Sequence, residues 1–368
     1  MKKLLAAAAA LFFAAANVLA ADILEEKLGV KVSGGGTIIL QATPKSNDGS
    51  GKGLTDESYT FDLKVEKEFS NGAKARIHLE GGAGRGLSRS VSTYSSMNAD
   101  ADPTVEASIN NSLVKITELW YEQSVFDGKF TFTLGKLNNG SYFDTNVYAN
   151  DETSQFLTSA FVSNQIIAFP ARNGALRLTF SPAEIIDVTY GYFASSVENM
   201  DTGGFNIAQI TLKPIENGNY RIYYWASNSE NGKFRRGNKH GGSGFGLSLD
   251  QALTEIVGLF ARFGYSDPKV YERSLEWSFG AQVKGQAWNR ENDKIGAAIG
   301  QIANSSDWSK ATGGKKGSET HAELYYSYAL NGNFAITPVI QYFENPSAGN
   351  AASRNNVFVY GIRTQINF

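Results

Sequence analysis

The last thirteen residues, NVFVYGIRTQINF (356–368), alternate apolar and polar side chains up to the final phenylalanine. Successive side chains of a β-strand point to opposite faces, so this segment has an apolar face and a polar face. Counted back from the end, the apolar face carries Ile366, Thr364, Ile362, Tyr360 and Phe358. A soluble edge strand would show the same pattern, so the rest of the chain has to decide the fold class.

The same alternation recurs along most of the chain. LEWSFGAQVKGQ (275–286), AKARIHLE (73–80) and NYRIYYWAS (219–227) all place apolar residues at every second position. Sixteen segments share this period, and most are near the ~9–11 residues with which a tilted strand crosses a bilayer. These candidate strands are 29–42, 57–69, 73–81, 111–125, 129–137, 174–181, 185–195, 204–213, 219–227, 241–250, 255–265, 272–286, 293–302, 318–330, 333–343 and 356–368.

Long and short links alternate between these segments. Asn-Gly and Asp-Gly, which favour tight hairpins, occupy four of the short links, at 71–72, 127–128, 217–218 and 331–332. An even strand number with short turns at one end and long loops at the other is typical of outer-membrane barrels. We therefore predict an all-β fold, a transmembrane antiparallel up-and-down β-barrel of about 16 strands. Its last strand closes the barrel, which pairs every backbone group within the lipid.

The chain begins with the features of an export signal. Lys2 and Lys3 precede an apolar run that is too short to span a membrane, and Val18-Leu19-Ala20 supplies a cleavage site. We predict a signal peptide at 1–20 and a mature outer-membrane β-barrel at 21–368. Two of the 34 basic residues leave with this segment, so 32 remain against 36 acidic ones. This balance argues against a nucleic-acid partner.

Several stretches resemble the carbohydrate-selective porins of the OprB type. NRENDKIGAAIG (289–300), ETHAELYYSYALNGNFAITPVIQYFENPSAGN (319–350), KFTFTLGKL (129–137) and FPARNGALRLTFSP (169–182) are similar to family segments in the same order. The matching residues of the C-terminal third are Arg290, Asp293, Gly296, Glu319, Glu323, Tyr326, Pro338, Gln341, Tyr342, Asn345, Pro346, Gly361, Arg363 and Phe368. The resemblance implies a sixteen-stranded barrel that passes sugars by passive diffusion. The N-terminal segment departs from the family pattern.

A diffusion channel needs a polar lumen whose groups bind a solute weakly enough to release it. Sugar hydroxyls accept hydrogen bonds from Arg and Lys and donate to Asp and Glu, while aromatic rings can support their C–H faces. The alternation nominates as lumen residues Lys74, Arg76, Glu118, Trp120, Glu122, Arg177, Arg221, Tyr223, Trp225, Arg262, Lys284, Glu323, Gln341 and Arg363. Polar lining is also expected of any wet barrel, without a role in solute binding.

The longest external link, 138–173, is the candidate constriction loop. It carries Tyr142, Asp144, Asp151, Glu152, Asn164, Gln165 and Arg172. Arg172 and Arg177 are the first candidates for hydroxyl donors at the constriction. The position of this link distinguishes two hypotheses. If the link leaves an open passage, the barrel is a channel. If it plugs the lumen, the protein is a surface-structural barrel whose external loops bind partners.

Other kinds of site are weakly supported by the sequence. His78, His240 and His321 make a barrel hydrolase conceivable, but no G-x-S-x-G motif accompanies them. The stretch 98–106 lacks the glycine and the late glutamate of an EF-hand calcium loop. We predict no enzyme, no metal site and no cofactor. A general porin without solute preference remains the alternative to a sugar channel.

The predicted location is the outer membrane of a Gram-negative bacterium. The expected partners are small sugars as transported solutes, outer-membrane lipids, and the barrel assembly machinery, for which Phe368 is the assembly signal by resemblance. Both termini lie at the short-turn end and are predicted to be periplasmic. The sequence leaves open whether the barrels associate as homotrimers.

Overall fold

Sixteen strands form one closed antiparallel barrel in which each strand pairs with its neighbours in the chain and β1 pairs with β16. The computed structural model describes residues 25–46, 50–101, 114–195, 204–228, 241–351 and 355–368, so the predicted signal peptide lies outside the described residues. The strands are β1 (Val30–Thr43), β2 (Leu54–Glu68), β3 (Lys74–Gly84), β4 (Lys115–Val125), β5 (Phe130–Lys136), β6 (Gly174–Ala183), β7 (Ile186–Ala194), β8 (Gly204–Leu212), β9 (Gly218–Ser227), β10 (Gly242–Ala252), β11 (Val257–Ser266), β12 (Arg273–Lys284), β13 (Lys294–Asn304), β14 (Ser318–Ala329), β15 (Phe334–Glu344) and β16 (Val357–Asn367). The predicted fold class and strand number are confirmed.

The C-terminal strand closes the barrel against β1. The two backbones run in register from the pair Gly35 and Asn367 to the pair Ala42 and Tyr360. Beyond the strand, the backbone N–H of Phe368 donates to the carbonyl of Gly34 at 2.9 Å, and the reverse bond is 3.0 Å. A Cβ at position 34 would lie 2.6 Å from the ring of Phe368, so glycine provides the space for the terminal ring.

The two faces of each strand differ as the alternation predicts. On β16, the side chains of Tyr360 and Ile362 are 53% and 51% exposed. Arg363, on the opposite, inward face of the same strand, is fully buried. On β9, Ile222 and Tyr224 are likewise exposed and Tyr223 is buried. The apolar residues therefore form an outward band, which is the surface that a membrane barrel presents to lipid.

The long and short links leave the barrel at opposite ends. The links after odd-numbered strands are 44–53, 85–114, 137–173, 195–203, 228–241, 267–272, 305–317 and 345–356. The others are 69–73, 126–129, 184–185, 213–217, 253–256, 285–293 and 330–333. In one predicted hairpin, Asp127 and Gly128 have φ angles of 54° and 81°, as a two-residue type I′ turn requires. The link 285–293 is longer than expected, because a 3-10 helix at Gly285–Trp288 follows β12.

No helix among the described residues is long and apolar enough to cross a membrane. The short helices lie in the links, and one of them, Ser159–Val162, belongs to the link 137–173. This link and the described part of the link 85–114 contact inward-facing side chains of the barrel, and they shape the candidate site.

Candidate channel constriction

The link 137–173, here called the constriction loop, lies inside the barrel and not above it. The inward-facing guanidinium of Arg262 on β11 donates to the backbone carbonyls of Phe161 at 2.8 Å and Ala149 at 2.6 Å. It also donates to the carbonyls of Asp144 and Val162 at 3.0 and 3.2 Å. One side chain of the wall thus holds backbone from both ends of the loop, because a guanidinium offers five donors in a planar fork.

The strands at the C-terminal end of the barrel hold the tip of the same loop. The carboxylate of Glu323 on β14 accepts from the backbone N–H groups of Leu157 and Thr158 at 2.7 and 2.6 Å. Gln341 on β15 donates to the hydroxyl of Thr158 at 2.8 Å, and Arg363 on β16 donates to the carbonyl of Glu152 at 2.7 Å. These predicted lumen residues do point inward, and they bind the loop backbone.

Asp144 joins the loop to the wall through a buried ion pair. Its carboxylate lies 3.1 Å from Nε of Arg262 and accepts from the hydroxyl of Tyr223 at 2.9 Å and from the backbone N–H of Asn164 at 2.7 Å. Burial raises the pKa of Asp144 above its ordinary value, and the charge of Arg262 opposes this rise. The side chain of Asn164 donates to Tyr223 at 3.0 Å. The two loop positions 144 and 164 thus serve as anchors.

The predicted role of Tyr223 and Trp225 as solute contacts does not fit the structure. Both side chains point inward, but they are 1% and 0% exposed because the loop covers them. Trp225 stacks on Phe205 with ring centroids 5.7 Å apart, and Phe143 of the loop packs in the same cluster. We call the inward surface of β8–β16, which the constriction loop covers in this way, the loop-covered wall.

On the other side of the loop, a cavity of about 800 Å³ lies against the inward faces of β1–β4, here called the open wall. From β1 and β2 its lining includes Ser33, Thr37, Thr60, Asp62 and Lys64. From β3, β4 and the links it includes Arg76, His78, Glu80, Arg85, Asn98, Asp100, Glu118, Asp151, Glu152, Gln165, Phe169 and Arg172. The lining includes Gly34 and Phe368, where β1 meets the last residue, and Ser96 in the link 85–114.

Of the two arginines expected at the constriction, only Arg172 is among the residues that line this cavity. Its guanidinium pairs with Glu80 at 2.7 Å and both side chains are partly exposed. Arg177 pairs instead with Glu122 on β4 at 2.8 Å and lies over the ring of Tyr142, 4.4 Å from its centroid. The expectation for Arg177 is therefore corrected: it contacts the base of the loop at Tyr142 and is not among the residues that line the cavity.

The open wall carries a line of closely spaced charged groups. His78 lies between carboxylates, with Nε2 2.7 Å from Asp62 and Nδ1 3.1 Å from Glu118. Glu118 also accepts from Nε1 of Trp120 at 3.1 Å, and Arg76 lies over the Trp120 ring at 5.0 Å from its centroid. Trp120 and Glu118 are both buried, at 8% and 2% exposure, and they support the partly exposed side chain of Arg76.

The remaining predicted lumen residues lie outside the cavity. Lys74 and Lys284 sit at the turn ends of β3 and β12, where both are exposed. Arg221 is buried and pairs with Asp250 on the adjacent strand at 2.5 Å. His321 is fully buried on β14, with its ring 5.1 Å from that of Phe161. His240 lies outside the described residues.

Two acids of the loop face the cavity in different states. Asp151 accepts from Ser154 and Thr153, and these hydrogen bonds hold its pKa below the usual range against the opposing effect of burial. Glu152 beside it has its pKa raised to about 7, chiefly by burial and secondly by the charge of Asp151. The loop can therefore change its charge near neutral pH.

Sequence reasoning missed several residues of the site. Asp62, Glu80 and Asp100 line the cavity, and the sequence did not distinguish them from other inward polar positions. The described part of the second long link also lies inside the barrel: Tyr94 and Ser95 donate their backbone N–H groups to Glu319 on β14 at 2.7 and 3.0 Å. The polar alternation of β2 and β3 was the available signal for the first two acids.

Comparisons with known proteins agree with this architecture. The family model of the carbohydrate-selective porins, OprB family, matches residues 46–368. Porin B of Pseudomonas aeruginosa is 24% identical over 69% of this chain and 68% of its own length. An uncharacterized protein of Aquifex aeolicus is 23% identical over 64% of this chain, and the match spans 63% of that protein. The high-pH structure of Pseudomonas putida OprB superimposes with a TM-score of 0.80 at 19% identity, over 94% of this chain and 96% of that one.

Proposed function

Because the chain belongs to the carbohydrate-selective porin family, OprB type, we propose that it is a passive diffusion channel for mono- and disaccharides in the outer membrane of a Gram-negative bacterium. The observation that carries the proposal is the cavity between the constriction loop and the open wall, where cations and carboxylates alternate on one polar surface. Family and fold both point to a channel and not to an enzyme.

The chemistry of this surface suits a neutral polyol. Arg172 beside Glu80, together with the partly exposed Arg76, offers donors and an acceptor on one polar surface. Phe169 lines the same cavity and provides an apolar surface for the C–H face of a ring. The charged groups already pair with one another, so a bound sugar adds hydrogen bonds to groups that are not left unpaired when it departs. Weak binding of this kind allows the solute to leave.

The two alternatives differ from this proposal in specific ways. A plugged structural barrel would need the loop to fill the lumen, whereas a cavity of about 800 Å³ remains between the loop and the open wall. A general porin would share the cavity but lack a saturable site for sugars. We further propose that both termini face the periplasm and that Phe368 is the assembly signal, since the terminal strand completes the barrel.

The test is single-channel conductance of the purified barrel in a planar bilayer, titrated with glucose, maltose and a non-sugar solute of similar size. Saturable block by the sugars alone supports the proposal. Arg172→Gln should weaken this block by about tenfold, since a hydrogen bond to a charged group contributes roughly 1.5–3 kcal/mol. Lys213→Gln removes a cation paired with Asp187 outside the cavity and is the matched control.

Each other outcome has a distinct meaning. Equal, unsaturable effects of all three solutes would leave a general porin. A folded barrel without conductance would contradict both channel functions and favour the structural barrel.

A further inference from the structure

The open wall contains one group of side chains with the composition of a metal site. Asp62 on β2 and His78 and Glu80 on β3 each place a potential ligand atom within 4.8 Å of those of the other two. Within the described part of the chain, no other set of three His, Cys, Asp or Glu residues has this spacing. The group combines an imidazole with two carboxylates, which is more specific than a patch of acids.

The surroundings of His78 favour a ligating role. Glu118 lies 3.1 Å from Nδ1 and can accept from an N–H on that nitrogen. Nε2 lies 2.7 Å from Asp62 and donates to it when no ion is present, so a metal bound at Nε2 would take the place of this proton. A carboxylate that accepts from the second ring nitrogen is the usual support of a metal-bound histidine. Glu118 is itself held by Nε1 of Trp120 at 3.1 Å, so this support is fixed in place.

An ion could reach this group from the solvent. All three residues line the cavity beside the constriction loop, so an entry path exists. Four atoms around Zn²⁺ at bonding distance lie about 3.3 Å apart, so Asp62 would have to withdraw slightly from its present 2.7 Å contact. Arg172 competes for Glu80 at 2.7 Å, which limits the affinity.

We propose that Asp62, His78 and Glu80 bind a first-row transition-metal dication of the Zn²⁺ class, and that the bound ion obstructs the passage. One imidazole nitrogen with carboxylate oxygens suits such ions, whereas Mg²⁺ and Ca²⁺ prefer all-oxygen sites. Water or a sugar hydroxyl would complete the coordination on the cavity side. Metal binding itself is independent of the proposed function, and only the obstruction rests on it.

The experiment measures binding and conductance separately. The full barrel is purified in detergent, stripped with EDTA and titrated with ZnCl₂ by calorimetry, and the same preparation is studied in bilayers with ZnCl₂ or MgCl₂ at equal ionic strength. We expect one Zn²⁺ per barrel and a fall in conductance over the same concentration range, reversed by EDTA and absent with Mg²⁺.

Variants assign the ligands. His78→Gln should lose the calorimetric signal and the Zn²⁺ block together. Glu118→Gln should keep the site with about 10–100-fold weaker affinity, the usual effect of removing an outer carboxylate. His240→Gln removes a histidine from another part of the sequence and should behave as the unmodified chain. This variant controls for adventitious binding to histidine.

The outcomes separate the two proposals. No saturable Zn²⁺ binding, or binding that survives His78→Gln, overturns the metal site and leaves the sugar channel untouched. Saturable binding lost in His78→Gln, in a barrel that conducts no ions, supports the metal site and contradicts the channel. Binding without any change of an otherwise normal conductance overturns the proposed obstruction.

Discussion

The loop-covered wall and the open wall are built from the same residue types but use them differently. On the loop-covered wall, Arg262 and Arg363 are buried and their guanidinium groups bind loop backbone. At the open wall, Arg76 of β3 remains partly exposed, and so does Arg172 of the constriction loop, which pairs with Glu80 of the same strand. The strands of the two walls follow the same alternation, so the position of one loop decides which polar residues are structural and which can meet a solute.

Removing Arg262 should have the largest effect on this arrangement. In Arg262→Leu, Asp144 becomes an uncompensated buried charge and several loop carbonyls lose their donor. We expect a loss of roughly 3–5 kcal/mol in unfolding free energy, together with a larger and noisier conductance. Unfolding of the detergent-solubilised barrel and bilayer recording measure the two effects.

Arg172→Leu, which removes the loop's ion pair with the open wall, is the matched control for that variant. Its ion pair with Glu80 is partly exposed, so its loss should cost about 1 kcal/mol or less. Equal destabilisation by the two variants would contradict the distinction between the walls.

Glu323→Gln tests the loop-covered wall with a smaller change. The amide keeps one acceptor oxygen but cannot accept from both Leu157 and Thr158, which now donate to the two carboxylate oxygens. We expect a loss of about 1–3 kcal/mol for the unsatisfied buried group and faster proteolysis of the loop. Unchanged proteolysis would mean that this contact does not hold the loop.

Arg177→Gln separates the two arginines that the sequence ranked together. Arg177 pairs with Glu122 and is not among the residues that line the cavity, so its removal should leave the sugar block within about twofold while lowering stability by about 1 kcal/mol. The comparison with Arg172→Gln in the same titration is decisive. A loss of block as large as that of Arg172→Gln would place Arg177 at the passage.

The smallest expected change in conductance is a pH dependence of ion selectivity from Glu152. Its pKa is raised to about 7, mainly by burial, so the folded barrel holds this proton more tightly than the unfolded chain does. Stability from this group therefore falls as pH rises from about 4.5 to 7 and is constant above. The cavity also gains a negative charge over this range, which should favour cations.

Reversal potentials at pH 5 and pH 8 measure this change in ion selectivity. Other groups titrate there too, so the relevant quantity is the difference between the unmodified chain and Glu152→Gln. An identical pH response of both proteins would exclude Glu152 as the source.

Alternation was enough to predict every strand of the barrel, because the side-chain period of two is a local property of the sequence. Closure followed because a closed sheet leaves no backbone hydrogen-bonding group unpaired in the lipid. It also placed Arg262, Glu323 and Arg363 on the inner face. It could not tell that loop residues 100 to 118 positions away from Arg262 would cover it, because loop position depends on contacts between distant parts of the chain. For the same reason Tyr223 was predicted as a solute contact, and Asp62 and Glu80 were overlooked.

The central claim is that solutes meet the open wall and not the loop-covered wall. The chain has no cysteine, so a single cysteine can be placed on either wall and exposed to a charged thiol reagent during bilayer recording. Thr60→Cys, in the cavity, should react quickly and reduce the current, whereas Ser278→Cys, buried beneath the loop, should not react. Equal reactivity at the two positions would contradict the account.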